Sequence, residues 1–371
     1  MKAKVPEHIK SIVPYPPGKP IEELEREYGV QDSIKLASNE NAWGSSPKAI
    51  EAIGGALTTL HRYPDGSNYY LVQAIAEKMG FSPDEIIVGN GSDDIIELLA
   101  KAYVEAGDEV ITSHPSFLMY QKVVQVRGGV NIVFPLKEMH HDLDAILGAV
   151  TDRTRLIFLD NPNNPTATAI NPGALYTFLS EVPETVIVVL DEAYRDFMDS
   201  EMQVDVYSLI KNSKDRCGVV ALRTFSKAYG LAGLRVGYGL MSAEVAGYLH
   251  RVRQPFNVNQ LAQVAAVAAL KDTEFYEQTL QKTKAGMVWL QEKIDNMGCV
   301  SYPSQTNFFL VDVKGDATAL YEAMLHKGVI IRSMKAYGYT NVIRVTVGKT
   351  EENYRCVHTL KNCLHELGYV S

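Results

Sequence analysis

From position 34 to about position 253, short apolar runs alternate with longer stretches in which apolar residues recur at helical spacing. That alternation predicts an α/β architecture: a mainly parallel sheet with helices packed on both faces, three layers in all. The runs at 85–88, 109–112, 155–159, 186–190, 219–222 and 236–240 are continuously apolar rather than alternating, as strands buried on both sides must be. Their carboxyl ends are expected to line one crevice.

Past Pro255 the texture changes. Helical stretches at 259–270 and 275–297 precede strand-like segments at 307–313, 329–332 and 342–347 and a terminal helix over 351–367, which predicts a smaller α+β domain. At the other end, an acidic helix over 21–28 stops at Gly29 and follows the proline-rich arm Val13-Pro14-Tyr15-Pro16-Pro17-Gly18. The expected division is a large domain of 35–255 and a small one built from 256–371 with the arm 1–34.

With 371 residues, two domains are the natural outcome. No stretch nears the roughly 20 apolar residues of a membrane span, and the charged start Met1-Lys2-Ala3-Lys4 lacks a signal-peptide core. A cytoplasmic protein is expected. Cys217, Cys299, Cys356 and Cys363 form no Cys-x-x-Cys pair and no metal-ligating pattern with histidine, so reduced thiols and no metal are expected. A formal net charge of -8 argues against nucleic acid as the partner; a small anion held by a few local cations remains open.

The chemistry-bearing segments follow the apolar runs. Thr224-Phe225-Ser226-Lys227-Ala228-Tyr229-Gly230 leads on to Arg235 directly after a strand. A lysine there is desolvated, which favours the free amine that can attack an aldehyde. Ser226 and Arg235 can serve a phosphate, and the glycines admit close backbone approach. Asp191 ends the run 186–190; a buried carboxylate needs a partner, and a protonated pyridine nitrogen is a suitable one. Tyr194 can reach a hydroxyl on the same ring.

In Gly89-Asn90-Gly91-Ser92-Asp93-Asp94 a glycine turn opens a helix whose first amides can hold phosphate. It lacks the P-loop lysine and the dinucleotide fingerprint's third glycine, which disfavours ATP and NAD. Asp160-Asn161-Pro162-Asn163-Asn164-Pro165-Thr166 forms a tight loop after another strand, from which Asn164 can donate. Phe117 lies past a further strand end and can stack on a planar ring. Taken singly, each of these segments also suits an ordinary turn, cap or core position.

In this order the segments resemble the fold-type I aminotransferases, and within them the histidinol-phosphate aminotransferase family. The likeness also takes in Ala37-Ser38-Asn39-Glu40-Asn41, His61-Arg62-Tyr63-Pro64-Asp65-Gly66, Pro255-Phe256-Asn257-Val258-Asn259, Thr306-Asn307-Phe308 and Ile343-Arg344-Val345-Thr346-Val347-Gly348. It implies pyridoxal 5'-phosphate as cofactor, with Lys227 as its Schiff-base lysine, Asp191 on the ring nitrogen, Asn164 and Tyr194 on the ring hydroxyl, and Phe117 stacked on the ring. Ser92, Asp93, Ser226 and Arg235 would cup the phosphate, and Tyr63 would reach it from the other subunit of a homodimer. Arg344 would bind the substrate carboxylate, with Arg332, Tyr15 and Asn39 around the rest of the substrate.

The implied reaction carries an amino group from glutamate to imidazole-acetol phosphate in a ping-pong cycle, in histidine biosynthesis. Two positions depart from the family pattern: Ala167 stands where glycine is usual, and Phe117 where tyrosine is common. Transamination of aromatic amino acids and decarboxylation of threonine phosphate use the same constellation, and a non-catalytic cofactor-binding regulator is a further alternative. That last reading lacks a DNA-binding segment before position 21.

Overall fold

The computed structural model describes residues 4–14, 20–212 and 217–370. Its strands in chain order are β1 Ile34–Lys35, β2 Ile86–Gly89, β3 Glu109–His114, β4 Val130–Pro135, β5 Thr154–Asp160, β6 Ile187–Asp191, β7 Gly218–Thr224, β8 Gly237–Leu240, β9 Val300–Ser301, β10 Phe308–Asp312, β11 Val329–Ile330, β12 Arg332–Ser333 and β13 Val342–Thr346. A seven-stranded sheet of order β2-β8-β7-β6-β5-β3-β4 forms the first body.

The continuous apolar runs have the expected cause. On β5 and β6, Ile157, Leu159, Val188 and Leu190 face one helical layer, while Leu156, Phe158, Ile187 and Val189 face the other. Neither face can be polar.

Three expectations are corrected. The run at 236–240 does not send its carboxyl end to the common crevice: β8 is antiparallel to both β2 and β7. The link 225–236 carries only the short turn Ala232–Leu234 and no crossover helix, so the chain turns back on itself and presents Gly237 to the crevice instead. The segment 329–332 is not one strand, because β11 pairs with β1 whereas β12 pairs with β13.

Helix Gln260–Leu270, grouped with the small domain on sequence, packs into the first core through buried Ala262, Ala265, Ala266 and Ala269. Those small side chains let it approach Pro47–Ala56 and Tyr69–Met79 closely. Helix Thr273–Asp295 then links the bodies, with Tyr276 against the first core and Met287, Leu290 and Ile294 inside the second.

The second body centres on the four-stranded sheet β12-β13-β10-β9, covered by helices Ala317–His326 and Thr350–Glu366. Helix Ile21–Tyr28, closed by Gly29 at φ 66, places Leu24 against Leu325 and Ile330 of this body. Helix Glu7–Lys10 instead lies against Met119–Val126 of the first. No helix among the described residues is long and apolar enough to cross a membrane.

Candidate active site

The carboxyl ends of β2, β3, β5, β6 and β7 converge on a pocket of about 460 Å³ whose far wall carries Arg332 and Arg344. It contains Asn39, Ser92, Asp93, Phe117, Asn164, Asp191, Tyr194, Ser226, Lys227 and Arg235, so most of the residues singled out on sequence meet there. Tyr15 lies outside the described residues. Tyr63 is not brought to the pocket: it is 84% exposed and stacks on Phe256, ring centroids 4.9 Å apart.

Asp191 ends β6 with 5% of its surface exposed. Its Oδ2 accepts from the Tyr120 hydroxyl at 2.8 Å and its Oδ1 from the Ala193 amide at 3.1 Å. Burial raises its pKa to about 7; the Tyr120 hydrogen bond opposes this, and the neighbouring Asp160 adds to it. Tyr120 was not singled out on sequence. It sits among apolar residues of its helix, stacks on Phe158 at 4.7 Å and meets Phe117 edge-on at 5.5 Å, and burial keeps its hydroxyl protonated as a donor. The only clue in the sequence is that a buried tyrosine needs a polar partner.

Lys227 follows β7 by three residues, its Nζ 3.5 Å from the Ser38 carbonyl and 5.3 Å above the Tyr194 ring. Asn41 Nδ2 donates to the Lys227 and Ala228 carbonyls at 3.2 and 3.1 Å, pinning the loop from outside. Gly230 is required there: at φ 69, a Cβ would lie 2.0 Å from the Gly44 carbonyl oxygen. The Tyr194 hydroxyl accepts from Asn39 Nδ2 at 2.9 Å, and Thr346 Oγ1 donates to Asn39 Oδ1 at 3.1 Å. Asn39 is thus committed to holding Tyr194, which leaves the Tyr194 hydrogen free to point elsewhere.

At the other end of the pocket, Gly91 at φ 85 opens helix Ser92–Tyr103 and turns its first amides toward the cavity. Arg235 Nη2 reaches Asp93 Oδ2 at 3.2 Å across it. Desolvation raises the Asp93 pKa, against the lowering charges of Arg235 and Lys227. The start of this helix, Ser226 and Arg235 line that end of the pocket together.

On the far wall Arg344 is buried, donating to Asn164 Oδ1 and to the Ala37 carbonyl at 2.6 Å each, with its guanidinium 4.9 Å over the Phe308 ring. Since a guanidinium only donates, the Asn164 oxygen faces it and the Asn164 NH2 remains for the pocket.

A lysine and a buried acid follow adjacent strands here, between the start of helix Ser92–Tyr103 and an arginine, in a fold-type I transferase architecture. The aminotransferase class I and II family matches residues 31–360, and the chain belongs to that family. It is 64% identical to the histidinol-phosphate aminotransferase of Desulfotalea psychrophila over 100% of this chain and 98% of that one. Against the same enzyme of Moorella thermoacetica it is 45% identical over 97% and 93%. The histidinol-phosphate aminotransferase of Sinorhizobium meliloti, solved in complex with pyridoxal-5'-phosphate, superposes with a TM-score of 0.90 at 29% identity over 99% of both chains.

Proposed function

We propose that the pocket holds pyridoxal 5'-phosphate and that the protein transfers an amino group from glutamate to imidazole-acetol phosphate, giving histidinol phosphate and 2-oxoglutarate. The observation that carries this reading is the pairing of Lys227 with Asp191 on one cavity. The residues fit the cofactor. Asp191, buried and displaced upward in pKa, gains most from a cationic ring nitrogen, Phe117 offers a flat wall, and the cup at Ser92 and Arg235 suits a phosphate.

When bound, the cofactor ring supplies an electron sink for the substrate's α-carbon. Lys227 Nζ would anchor the cofactor through its aldehyde and, as an amine, would serve as the base that moves the proton at the substrate's α-carbon. Tyr194 and Asn164 would donate to the ring hydroxyl. Arg344 binds the α-carboxylate through its planar fork, and Arg332 adds donors for the larger phosphate of the second substrate.

The exposed Leu57, Leu60, Tyr63, Tyr69 and Tyr70 are more apolar surface than one segment normally leaves in water; a second copy covers them in a homodimer, and Tyr63 completes the partner's phosphate cup. Four free cysteines suit the reducing cytoplasm.

The test is to add glutamate, histidinol phosphate, phenylalanine or threonine phosphate, each alone, to the purified yellow protein. Conversion of the bound aldehyde to its amine form by the first two supports the reading. Conversion by phenylalanine in preference to histidinol phosphate, or carbon dioxide release from threonine phosphate, overturns it.

A further inference from the structure

A polar chain leads into the pocket wall through Ser113, His141 and Asp160, which the chemistry above does not use. His141, its side chain 2% exposed, directs Nε2 at the Asp160 carbonyl at 3.1 Å and at Asp160 Oδ1 at 3.2 Å. Its Nδ1 lies 2.7 Å from Ser113 Oγ. Two acceptors on one side fix the proton on Nε2, and the serine hydroxyl can either donate to Nδ1 or accept from it. The imidazole therefore holds Asp160 whether it is neutral or protonated.

Asp160 in turn accepts from Asn163 Nδ2 at 3.0 Å and, through Oδ2, from the Asn164 amide at 2.9 Å. Asn164 Oδ1 takes Arg344 Nη1 at 2.6 Å. The chain runs from Ser113 to the arginine, passing through Asn164 from its amide to its side chain. Asp160 is also the register partner of Asp191 on the neighbouring parallel strand, and both are buried. The Asp160 carboxylate adds to the upward displacement of Asp191, so an acid at position 160 has an energetic cost that packing alone does not explain.

We infer that His141 and Asp160 are positioning residues for substrate-carboxylate recognition, holding the 160–164 turn so that Asn164 keeps the Arg344 fork aimed into the pocket. This rests on Arg344 as the carboxylate site. Loss of one charge-assisted link is worth on the order of tenfold in affinity.

The experiment compares His141→Phe, His141→Gln, Asp160→Asn and Arg344→Lys in the cofactor-loaded enzyme. It measures KM and kcat for glutamate, and the Kd of succinate, a dicarboxylate without an amine, by calorimetry. Expected are about tenfold rises in glutamate KM and succinate Kd for His141→Phe and Asp160→Asn with kcat changed less than about threefold, and recovery of most of the loss in His141→Gln, whose amide again donates to Asp160. A fall in melting temperature with KM and succinate Kd unchanged means a merely structural role and overturns the inference. If His141→Phe does not fold, Asp160→Asn decides by the same two constants. Unchanged constants in Arg344→Lys would instead remove the carboxylate-site reading itself.

Discussion

Arg332 and Arg344 stand directly opposite each other across the antiparallel ladder of β12 and β13, and both side chains reach the same pocket. Like charges in that relation destabilise a sheet, and they persist where an anion is to be bound between them. Arg344 is buried and held by Asn164 and Ala37, whereas Arg332 is half-buried at the rim. We expect Arg332→Ala to lower kcat/KM for histidinol phosphate by about 100-fold, since a dianionic phosphate loses a charged donor, and for glutamate by less than about fivefold. Steady-state kinetics with both substrates checks this, and equal losses would contradict it.

The Asp191 carboxyl sets a pH dependence on the cofactor-free protein. Its pKa is 3.8 when unperturbed and about 7 in the fold, so the folded chain binds the extra proton between those values. Stability therefore falls as pH rises from about 4 to about 7 and then levels off. The displacement is worth about 4 kcal/mol at pH 8, to order of magnitude. Asp191→Asn removes that term but leaves one oxygen for two donors, Tyr120 and Ala193, at a cost of about 1–3 kcal/mol. The cofactor-free variant should thus melt above its parent at pH 8, lose that advantage by pH 4–5, and have almost no transaminase activity. Thermal melts of stripped protein at both pH values test it; a variant less stable than its parent at pH 8 would contradict the argument.

Tyr120 tunes the same acid. Its hydroxyl opposes the upward push of burial on Asp191, so Tyr120→Phe should shift Asp191 further toward the neutral acid and weaken its hold on a protonated ring nitrogen. The ring's stacking on Phe158 is retained, so the stripped fold loses only the partner of one Asp191 oxygen, about 1–3 kcal/mol. We expect the cofactor Kd to rise about tenfold, the worth of one hydrogen bond to a charged group. Equilibrium titration with pyridoxal phosphate checks this, and an unchanged Kd would contradict it.

These residues differ in how legible they were. Asp191 and Lys227 stood out because continuous apolar runs precede them, and such runs are the mark of strands with helices on both sides. β4 escaped notice because it is the sheet's edge: Val130 and Val133 are exposed, and the run is too broken to read as buried. Tyr120 and His141 carried no signal of their own, since each gains meaning only from an acid supplied by a different strand. The alanine-rich helix Gln260–Leu270 was grouped with the wrong core because its composition suits any close neighbour. Tertiary pairing, rather than local pattern, decides all three.

Ala167 departs from the glycine usual in the family, and the backbone explains that preference: its φ is 64, in the left-handed region. An L-residue there is strained by about 1–2 kcal/mol. The position is locked from both sides, since the Ala167 amide donates to the Asn163 carbonyl and its own carbonyl accepts from the Gln305 amide, each at 2.9 Å. The methyl is fully buried in a cluster with Tyr194 and Phe308, worth about 0.8 kcal/mol, and glycine would further loosen the unfolded chain by about 0.4–1 kcal/mol. Relief and loss nearly cancel, so Ala167→Gly should change unfolding free energy by less than about 1 kcal/mol. Ala167→Val keeps the strain and adds a branched side chain where none fits, and should destabilise by several kcal/mol. Denaturant unfolding of the two variants decides: a loss above about 2 kcal/mol in Ala167→Gly would mean that the contact with Tyr194, not the backbone, governs this turn.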